Sequence, residues 1–306
     1  MLDDATCYET SMRYPTNVKL LWESTEWSYH QLKLICKYLK IRMLRNKYEE
    51  QWNKYNNYSH KRKKTHKETL RRTRSLLYLL EKIVMLLKGI ENQYQGQFVL
   101  PRGYYEKIKT IRKVLKQQQE IFETGKSVPD RIVSISKAYI RPIVRCKEVK
   151  AVEFGAKVNM IQFDGINFIE HLSFNASNEG TRLVKSIRYG RSLFGKITHI
   201  SADDIYATNA NRKNSTAAHI VTNFKRNGRV GKHEEHRQII SRELRKQRTI
   251  RMEGSFGTEK EHYGLQKIKA KTEANEILWI FFGVHTANAV RIAKRLAVSR
   301  VERMAS

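Results

Sequence analysis

The segment FGAKVNMIQFDGINFIEHLSF, residues 154–174, decides the fold class. It is rich in Ile, Val and Phe, and Asp164-Gly165 separates its two apolar runs. Because Asp-Gly readily adopts the positive φ angles of a two-residue hairpin loop, the segment predicts a pair of antiparallel strands. The preceding segment RIVSISKAYIRPIVRC, residues 131–146, has a similar composition and also predicts strand.

The sequence before these strands predicts helices. From about Asn17 to Gly125 it contains one proline and few glycines, and Pro129-Asp130 then breaks the pattern. Trp22, Trp27 and Trp52 stand among apolar helical positions, where core packing is more common than base stacking. A wide apolar stripe with a period near 3.6 is formed by Leu76, Leu77, Leu80, Ile83, Val84, Leu87 and Ile90.

The sequence after residue 174 predicts a helix over 178–189, then a short strand in GKITHISADDIYATN, residues 195–209, and a closing helix over 272–296. The closing helix should pack on the sheet through Ile277, Leu278, Phe281, Phe282, Val290 and Ile292. This order predicts an α/β fold: a mixed sheet with flanking helices and a large all-helical insertion after the first strand. We expect the first strand within 1–16, a basic helical insertion over 17–128, and the rest of the core with its C-terminal helix over 129–306.

The charge of the chain indicates a polyanionic partner. Among 306 residues, 59 Lys and Arg stand against 30 Asp and Glu, a net charge of +29. Such an excess favours nucleic acid. The run SHKRKKTHKETLRRTR, residues 59–74, has eight Lys or Arg that could neutralise phosphates, although a solvated helix face would have the same composition.

Other classes of protein find little support. No run of about 18 apolar residues predicts a membrane span, and no leader sequence is recognisable. Cys7, Cys36 and Cys146 lie far apart, so they predict neither a zinc site nor a disulfide framework. We therefore expect a protein of a reducing cytosol with no membrane partner.

Acidic residues are scarce, and several follow predicted strands. Asp4 comes directly after the chain's opening, Asp203 and Asp204 end the run ITHISA, and Glu253 lies in RMEGSFGTEKEHYGL, residues 251–265. Two Mg²⁺ ions held by such carboxylates can activate an attacking oxygen and stabilise a leaving one in phosphoryl transfer. An aspartate at the end of a strand is, however, more often a turn or cap residue.

Four segments together resemble the DDE transposases of bacterial insertion sequences. They are DATCYETSMRYPTNVKLLWE (4–23), SISKAYIRPIVRCKEVKAVEFGAKVN (134–159), ADDIYATNANR (202–212) and RMEGSFGTEKEHYGL (251–265), in the family's order. The resemblance implies an RNase H-like core in which Asp4, Asp203 and Glu253 are the catalytic residues and the metal ligands. It implies two Mg²⁺ ions, for which Mn²⁺ can substitute.

The resemblance also implies residues that contact DNA. Lys260 follows the glutamate at the family's seven-residue offset, and both share a helix face if the helix continues through Gly254 and Gly257. The arginine that relatives often place four residues before the glutamate is replaced by Thr249. With the basic residues of the nearby segments, the expected DNA contacts are Lys260, Arg251, Arg248, Arg145, Lys157 and Arg212, although Arg145 and Lys157 on the predicted strands could equally face solvent.

The implied function is cleavage at insertion-sequence ends and strand transfer into target DNA, in the bacterial cytoplasm at the nucleoid. The implied partners are the terminal repeats, target DNA and other copies of the chain. Relatives have a helical region before the first strand, so we expect an N-terminally truncated chain whose first strand has lost most of its length. Asn17, Cys146 and Ser177 also depart from the family's pattern. A non-catalytic DNA-binding remnant and a nuclease that only hydrolyses therefore remain alternatives.

Overall fold

The fold is described from a computed structural model that covers residues 1–144, 151–230 and 233–305, with side chains up to residue 299. The chain forms two compact units. We name Met1–Met12 with Pro142–Ser306 the core unit, and Arg13–Arg141 the helical unit. The helical unit thus lies in the sequence between the first and second strands of the core unit.

The helical unit contains four helices, which are α1 (Asn17–Tyr38), α2 (Tyr48–His60), α3 (His66–Gln93) and α4 (Tyr104–Thr124). Thr16 and Thr65 cap α1 and α3 by accepting hydrogen bonds from backbone N–H groups, and Gly125 ends α4 with a φ of 68°. The predicted stripe on α3 is confirmed, since all of its members are buried except Ile90, which is partly buried. Trp52 was wrongly placed in the core, because it is 41% exposed.

The strand predicted over 131–146 is mostly wrong. Only β2 (Pro142–Val144) is a strand in the described part of this segment. Gln117 of α4 takes the place of a strand partner, because its Oε1 accepts from the Ile132 N–H at 3.0 Å and its Nε2 donates to the Asp130 carbonyl at 3.1 Å. Ile132 and Ile135 then pack in the core of the helical unit. A side chain can satisfy a segment's backbone as well as a sheet can.

The core unit is built on a mixed sheet. Its other strands are β1 (Leu2–Thr10), β3 (Val152–Phe163), β4 (Ile166–Ser173), β5 (His199–Ala202), β6 (Val221–Thr222) and β7 (Lys267–Ile268). The order is β2-β3-β1-β5-β6, with β4 also on β3 and β7 also on β1. β1 is antiparallel to β3 and parallel to β5. The predicted hairpin is confirmed: Asp164 and Gly165, with φ of 44° and 74°, join β3 to β4.

The first strand is longer than the sequence predicted. β1 has nine residues and pairs with β3 from Leu2 to Glu9. The strand continues from Ala5 to Thr10, a segment that includes the buried Cys7 and Tyr8. Asp4 therefore stands in a strand that is paired on both sides of this residue.

The helices of the core unit follow the strands. They are α5 (Leu183–Phe194), α6 (Asn209–Ala217), α7 (Glu234–Gln247), a π-helix (Arg248–Glu253), α8 (Gly254–His262) and α9 (Glu273–Ala305). The helix predicted over 178–189 begins later, at Leu183, after a 3₁₀ turn over Glu179–Thr181. No described helix is long and apolar enough to cross a membrane.

The face that α9 turns to the sheet differs from the predicted one. Ile280 and Val284 are fully buried, whereas Leu278 and Phe282 are 51% and 64% exposed. Two polar residues orient the helix: Glu276 accepts a hydrogen bond from Thr10 Oγ1 at 2.7 Å, and the Asn288 amide exchanges two hydrogen bonds with the backbone of Asn167. A buried polar group must keep its partner, so these anchors outweigh the larger apolar side chains.

Candidate active site

Asp4 lies on β1 and is nearly buried. Its carboxylate accepts the Ala5 N–H at 2.8 Å and a hydrogen bond from the Arg248 guanidinium. Burial raises the pKa of Asp4 to about 6, although the Arg248 cation opposes this rise. The nearby charge of Asp203 raises the same pKa further, so these two carboxylates interact electrostatically.

Asp203 follows β5 directly, and the side-chain amide of Asn223, the residue after β6, holds Ala202 at the end of β5. Asn223 Oδ1 accepts the Ala202 N–H at 2.9 Å, and Asn223 Nδ2 donates to the Ala202 carbonyl at 2.8 Å. The side chain therefore pairs with the last residue of β5 as a further strand residue would. The backbone carbonyl of Asn223 accepts a hydrogen bond from Ser241 Oγ of α7 at 2.9 Å. These bonds fix the backbone from which Asp203 projects.

Gly180 supports the loop after Asp203. A Cβ atom at Gly180 would lie 2.4 Å from the carbonyl oxygen of Ile205, which is closer than real Cβ atoms approach. Asn211 Nδ2 joins the same two segments by donating to the carbonyls of Gly180 and Tyr206, at 2.6 and 2.8 Å. Gly180, the last residue of FNASNEG (174–180), therefore permits a close backbone contact that positions the loop after Asp203.

Glu253 is the last residue of the π-helix, and its side chain is half exposed. A π-helix closes its turns with i→i+5 hydrogen bonds, so residues five apart lie on the same face. Arg248 stands five residues before Glu253, and its Nη1 lies 3.3 Å from Glu253 Oε1. The wide turn therefore brings Arg248 to Glu253. Arg248 stands one residue before Thr249, the position at which DDE transposases often have an arginine. α8 continues from Gly254 to His262 without a break.

The Arg248 guanidinium brings the three predicted carboxylates together. It bonds to Asp4 and lies 4.0 Å from Asp203 Oδ1 and 3.3 Å from Glu253 Oε1. The neighbouring acidic residues are separate from this group. Asp3 is buried elsewhere, and the exposed Asp204 lies 3.7 Å from Arg245. The chain thus gathers one carboxylate from β1, one from the end of β5 and one from the π-helix around one cation.

The donor set suits a hard divalent cation, but the guanidinium lies among the donors. Within the described residues, no group of three or more His, Cys, Asp or Glu side chains is arranged to hold a metal ion. Carboxylate oxygens are the donors that Mg²⁺ prefers, and three such groups in a partly buried place require a compensating positive charge. Arg248 supplies that charge here, so a metal ion would bind after Arg248 has turned away.

The residues expected to contact DNA have different settings. Arg251 is exposed, and among the described residues its side chain has no ion pair or hydrogen bond. Lys260 is half-buried, with its ammonium 5.9 Å from the centre of the Tyr8 ring. Lys157 pairs with Glu179 at 2.7 Å, and Arg212 donates to the Ala207 carbonyl at 2.9 Å. Arg145, like Cys146, falls outside the described residues.

A buried polar network behind Asp4 was not predicted from the sequence. Asp3 accepts a hydrogen bond from Asn159 Nδ2 at 3.1 Å, and Asn159 also contacts Glu170, which forms a two-bond ion pair with Arg182. Burial raises the pKa of Asp3 to about 8 despite these hydrogen bonds, and the charges of Glu170 and Asp4 add to the rise. Two adjacent aspartates in a strand point to opposite faces, which is the signal that could have revealed this network.

A second missed group is the buried carboxyl of Glu259 on α8. It accepts hydrogen bonds from the Tyr8 hydroxyl and, at 2.6 Å, from Asn167 Nδ2. Burial raises its pKa. These bonds fix α8 against β1 and β4, and therefore fix the helix that begins at the residue after Glu253.

Comparison of the chain with protein-family models, with curated proteins and with solved structures finds no match.

Proposed function

We propose that this chain is a DNA transposase of the DDE class that cleaves at the ends of an insertion sequence and joins them to target DNA. One observation carries the proposal. Asp4, Asp203 and Glu253, remote in sequence, meet around one guanidinium. A motif of scattered carboxylates has this chemical meaning only if the fold assembles them.

The finer fold assignment is part of the same proposal. We interpret the core unit as RNase H-like and the helical unit as an insertion after its first strand. The support is topological: β1 lies between an antiparallel β3 and a parallel β5, and Asp4 and Asp203 stand on β1 and after β5. The two strands are direct neighbours, so Asp203 at the end of β5 comes close to Asp4 on β1.

The proposed chemistry assigns separate tasks to the residues. Asp4, Asp203 and Glu253 would hold two Mg²⁺ ions, or Mn²⁺ in their place, which supply an activated attacking oxygen and stabilise the leaving oxygen. Arg248 neutralises the carboxylates before the ions bind, which limits their mutual repulsion. The freed 3′ hydroxyl of the element end then attacks target DNA, and no covalent bond to the protein is needed.

A groove that reaches Gly254, the residue after Glu253, supports DNA as the substrate. It lies between α8, α9 and the hairpin turn, and its charged lining residues are Arg251, Arg291, Arg295 and Asp164, of which Asp164 pairs with Arg295 at 3.0 Å. Lys294 lines the adjoining cavity on α9. Arginine and lysine side chains that follow a groove are suited to a phosphate backbone, and they add no sequence specificity. We further propose that the chain acts at the bacterial nucleoid, and on DNA as more than one copy.

A non-catalytic DNA-binding remnant is the second candidate. Arg248 already compensates all three carboxylates, and the described residues present no ready metal site. If Arg248 never leaves them, the basic surface would bind DNA without cutting it. The two functions therefore differ in whether the carboxylates accept a divalent cation.

Nicking of a supercoiled plasmid in Mg²⁺ or Mn²⁺ tests the proposal without knowledge of the terminal repeats, and labelled ends of the encoding element then test strand transfer. We expect Asp203→Asn and Glu253→Gln to abolish nicking and to retain DNA affinity, measured by fluorescence anisotropy. Asp204→Asn is the matched control, because Asp204 lies beside Asp203 but pairs with Arg245. A wild-type chain that binds DNA but never nicks it would favour the remnant.

A further inference from the structure

Helix α9 has two unlike sides. Its inner side, with Glu276, Ile280, Val284 and Asn288, is buried against the core unit. The opposite side is open to solvent along most of the helix. We name as the outer stripe the residues Leu278, Phe282, His285, Ala289, Ile292 and Leu296. Leu278, Phe282 and Ile292 of this stripe were predicted from the sequence to pack on the sheet, and all three are exposed.

The outer stripe has the spacing of a helix that pairs with another helix. Its residues follow one another at steps of four, three, four, three and four, which is the heptad repeat of 3.5 residues. At a rise of about 1.5 Å per residue, the stripe is about 27 Å long. Between Glu276 and Arg291 no residue of α9 is Asp, Glu, Lys or Arg, although the chain as a whole is strongly basic. A stretch without charge is unusual on an exposed helix of such a protein.

We propose that the outer stripe binds the outer stripe of a second copy of this chain, with the two α9 helices antiparallel. An isologous contact requires a surface that is complementary to itself. The stripe meets this condition when the two-fold axis of the pair passes at residue 287. Leu278 then faces Leu296 of the other copy, and Phe282 faces its Ile292. The half-buried His285 faces the small Ala289, so a large side chain meets a small one at the centre.

Charge selects the antiparallel direction. The C-terminal part of α9 has Arg291, Lys294 and Arg295, whereas its N-terminal part near the stripe has none. A parallel pair would place these cations of two copies side by side in a protein of net charge +29. In the antiparallel pair the two Lys294 residues lie roughly 20 Å apart along the axis, which exceeds the Debye length of about 8 Å at physiological salt.

The exposed area predicts a weak dimer. Leu278, Phe282, Ile292 and Leu296 are 51%, 64%, 44% and 65% exposed. At roughly 100 Å² of accessible surface for each, two copies would cover about 800 Å², and the flanking Trp279 brings this to about 1,000 Å². This is the lower limit of specific interfaces. We therefore expect a reversible dimer with a dissociation constant in the micromolar range, which DNA bound to both copies would strengthen.

Sedimentation of the full chain over a concentration series, in high salt and without nucleic acid, tests the dimer. We expect a monomer–dimer equilibrium, and Phe282→Asp should raise its dissociation constant at least about 30-fold. Val298→Asp is the matched control, because it adds the same charge on α9 at a 58% exposed residue outside the stripe. Equal effects of both variants, or a dimer that Phe282→Asp leaves unchanged, would overturn the proposal.

Cysteine crosslinking tests the direction, in a Cys146→Ser background that leaves the two buried native cysteines. A chain with both Leu278→Cys and Leu296→Cys should form a disulfide-linked dimer under mild oxidation, and Leu278→Cys alone should not. Crosslinking by Leu278→Cys alone would mean a parallel pair and contradict the proposed contact. A chain that stays monomeric, with a Leu278→Cys thiol that does not react with maleimide, would show that the stripe is already covered within one chain. That result would also refute the proposal. None of these measurements requires catalytic activity.

Discussion

Arg248 Nη1 lies 3.3 Å from Glu253 Oε1, and the two residues are the first and last of one π-helix. An α-helix would align residues three or four apart, so Arg248 would then point away from the glutamate. The wider π-turn brings both to the face that meets Asp4. Short π-helical segments frequently mark functional sites, because they give up regular geometry to place a side chain.

Arg248→Ala should destabilise the chain at neutral pH. It leaves the nearly buried Asp4 carboxylate without its cation, which costs about 3 kcal/mol when one member of a buried pair is removed. The loss should shrink as the pH falls towards about 6, the pKa of Asp4 in the intact protein, because without Arg248 the carboxyl takes up its proton at a higher pH and the protonated carboxyl needs no cation. Urea denaturation followed by circular dichroism measures the change. Added Mg²⁺ should restore part of the stability if the carboxylates bind it.

Arg251→Ala is the control for this variant, since Arg251 is exposed and its side chain has no partner among the described residues. Its free energy of unfolding should change by less than about 0.5 kcal/mol. A similar loss in both variants would mean that Arg248 contributes through general charge and not through the three carboxylates.

Secondary structure could be predicted from the sequence where the residues of one segment determine its conformation. Asp164-Gly165 predicted the hairpin because few other residues adopt positive φ angles, and the stripe on α3 predicted its buried side. The convergence of Asp4, Asp203 and Glu253 was expected from resemblance alone, since no local pattern determines which carboxylates meet in space.

What the sequence did not reveal depends on partners remote in the chain. The orientation of α9 follows from the hydrogen bond of Glu276 to Thr10, and the irregular path of 131–141 follows from Gln117. The π-helix lets Arg248 reach Asp4, which is 244 residues away. Periodicity ranks side chains by hydrophobicity and cannot show which polar group will find a partner.

Gly180→Ala should disturb the loop that carries Asp203. The added Cβ would meet the Ile205 carbonyl at 2.4 Å, so the backbone must shift, at a cost of about 1–3 kcal/mol. We expect a lower thermal midpoint and a marked loss of plasmid nicking. Gly89→Ala is the control, because a Cβ there meets nothing within 4 Å inside α3, and alanine should leave stability unchanged or raise it by about 0.5 kcal/mol. Full nicking activity in Gly180→Ala would show that this contact does not position Asp203.

The α8–α9 groove should contribute to DNA affinity in a measurable, salt-dependent way. Replacing Arg251 and Lys294 together by alanine removes two cations from the groove and its adjoining cavity. If both contact phosphates, the slope of log affinity against log salt should fall by about 2. The charge-matched control is Arg188→Ala with Arg191→Ala on α5, where both residues are exposed. Equal slopes for the two double variants, measured by anisotropy with duplex DNA, would mean that only net charge matters.

The stability of the fold should fall as the pH rises, because folding raises the pKa of Asp3 to about 8 from an ordinary value of 3.8. Below the lower value the carboxyl is protonated in both states and costs nothing. Between the two values folding must take up a proton, so the folded state loses stability with each increment of pH until the carboxyl ionises near pH 8.

Asp3→Asn keeps a neutral polar group in the network and removes this titration. Its thermal midpoint should therefore exceed that of the wild type at pH 8 and approach it at pH 4, whereas Asp204→Asn, on a 77% exposed side chain, should follow the wild type throughout. Parallel curves for Asp3→Asn and the wild type would show that Asp3 is ionised in the folded chain and that another cation compensates it.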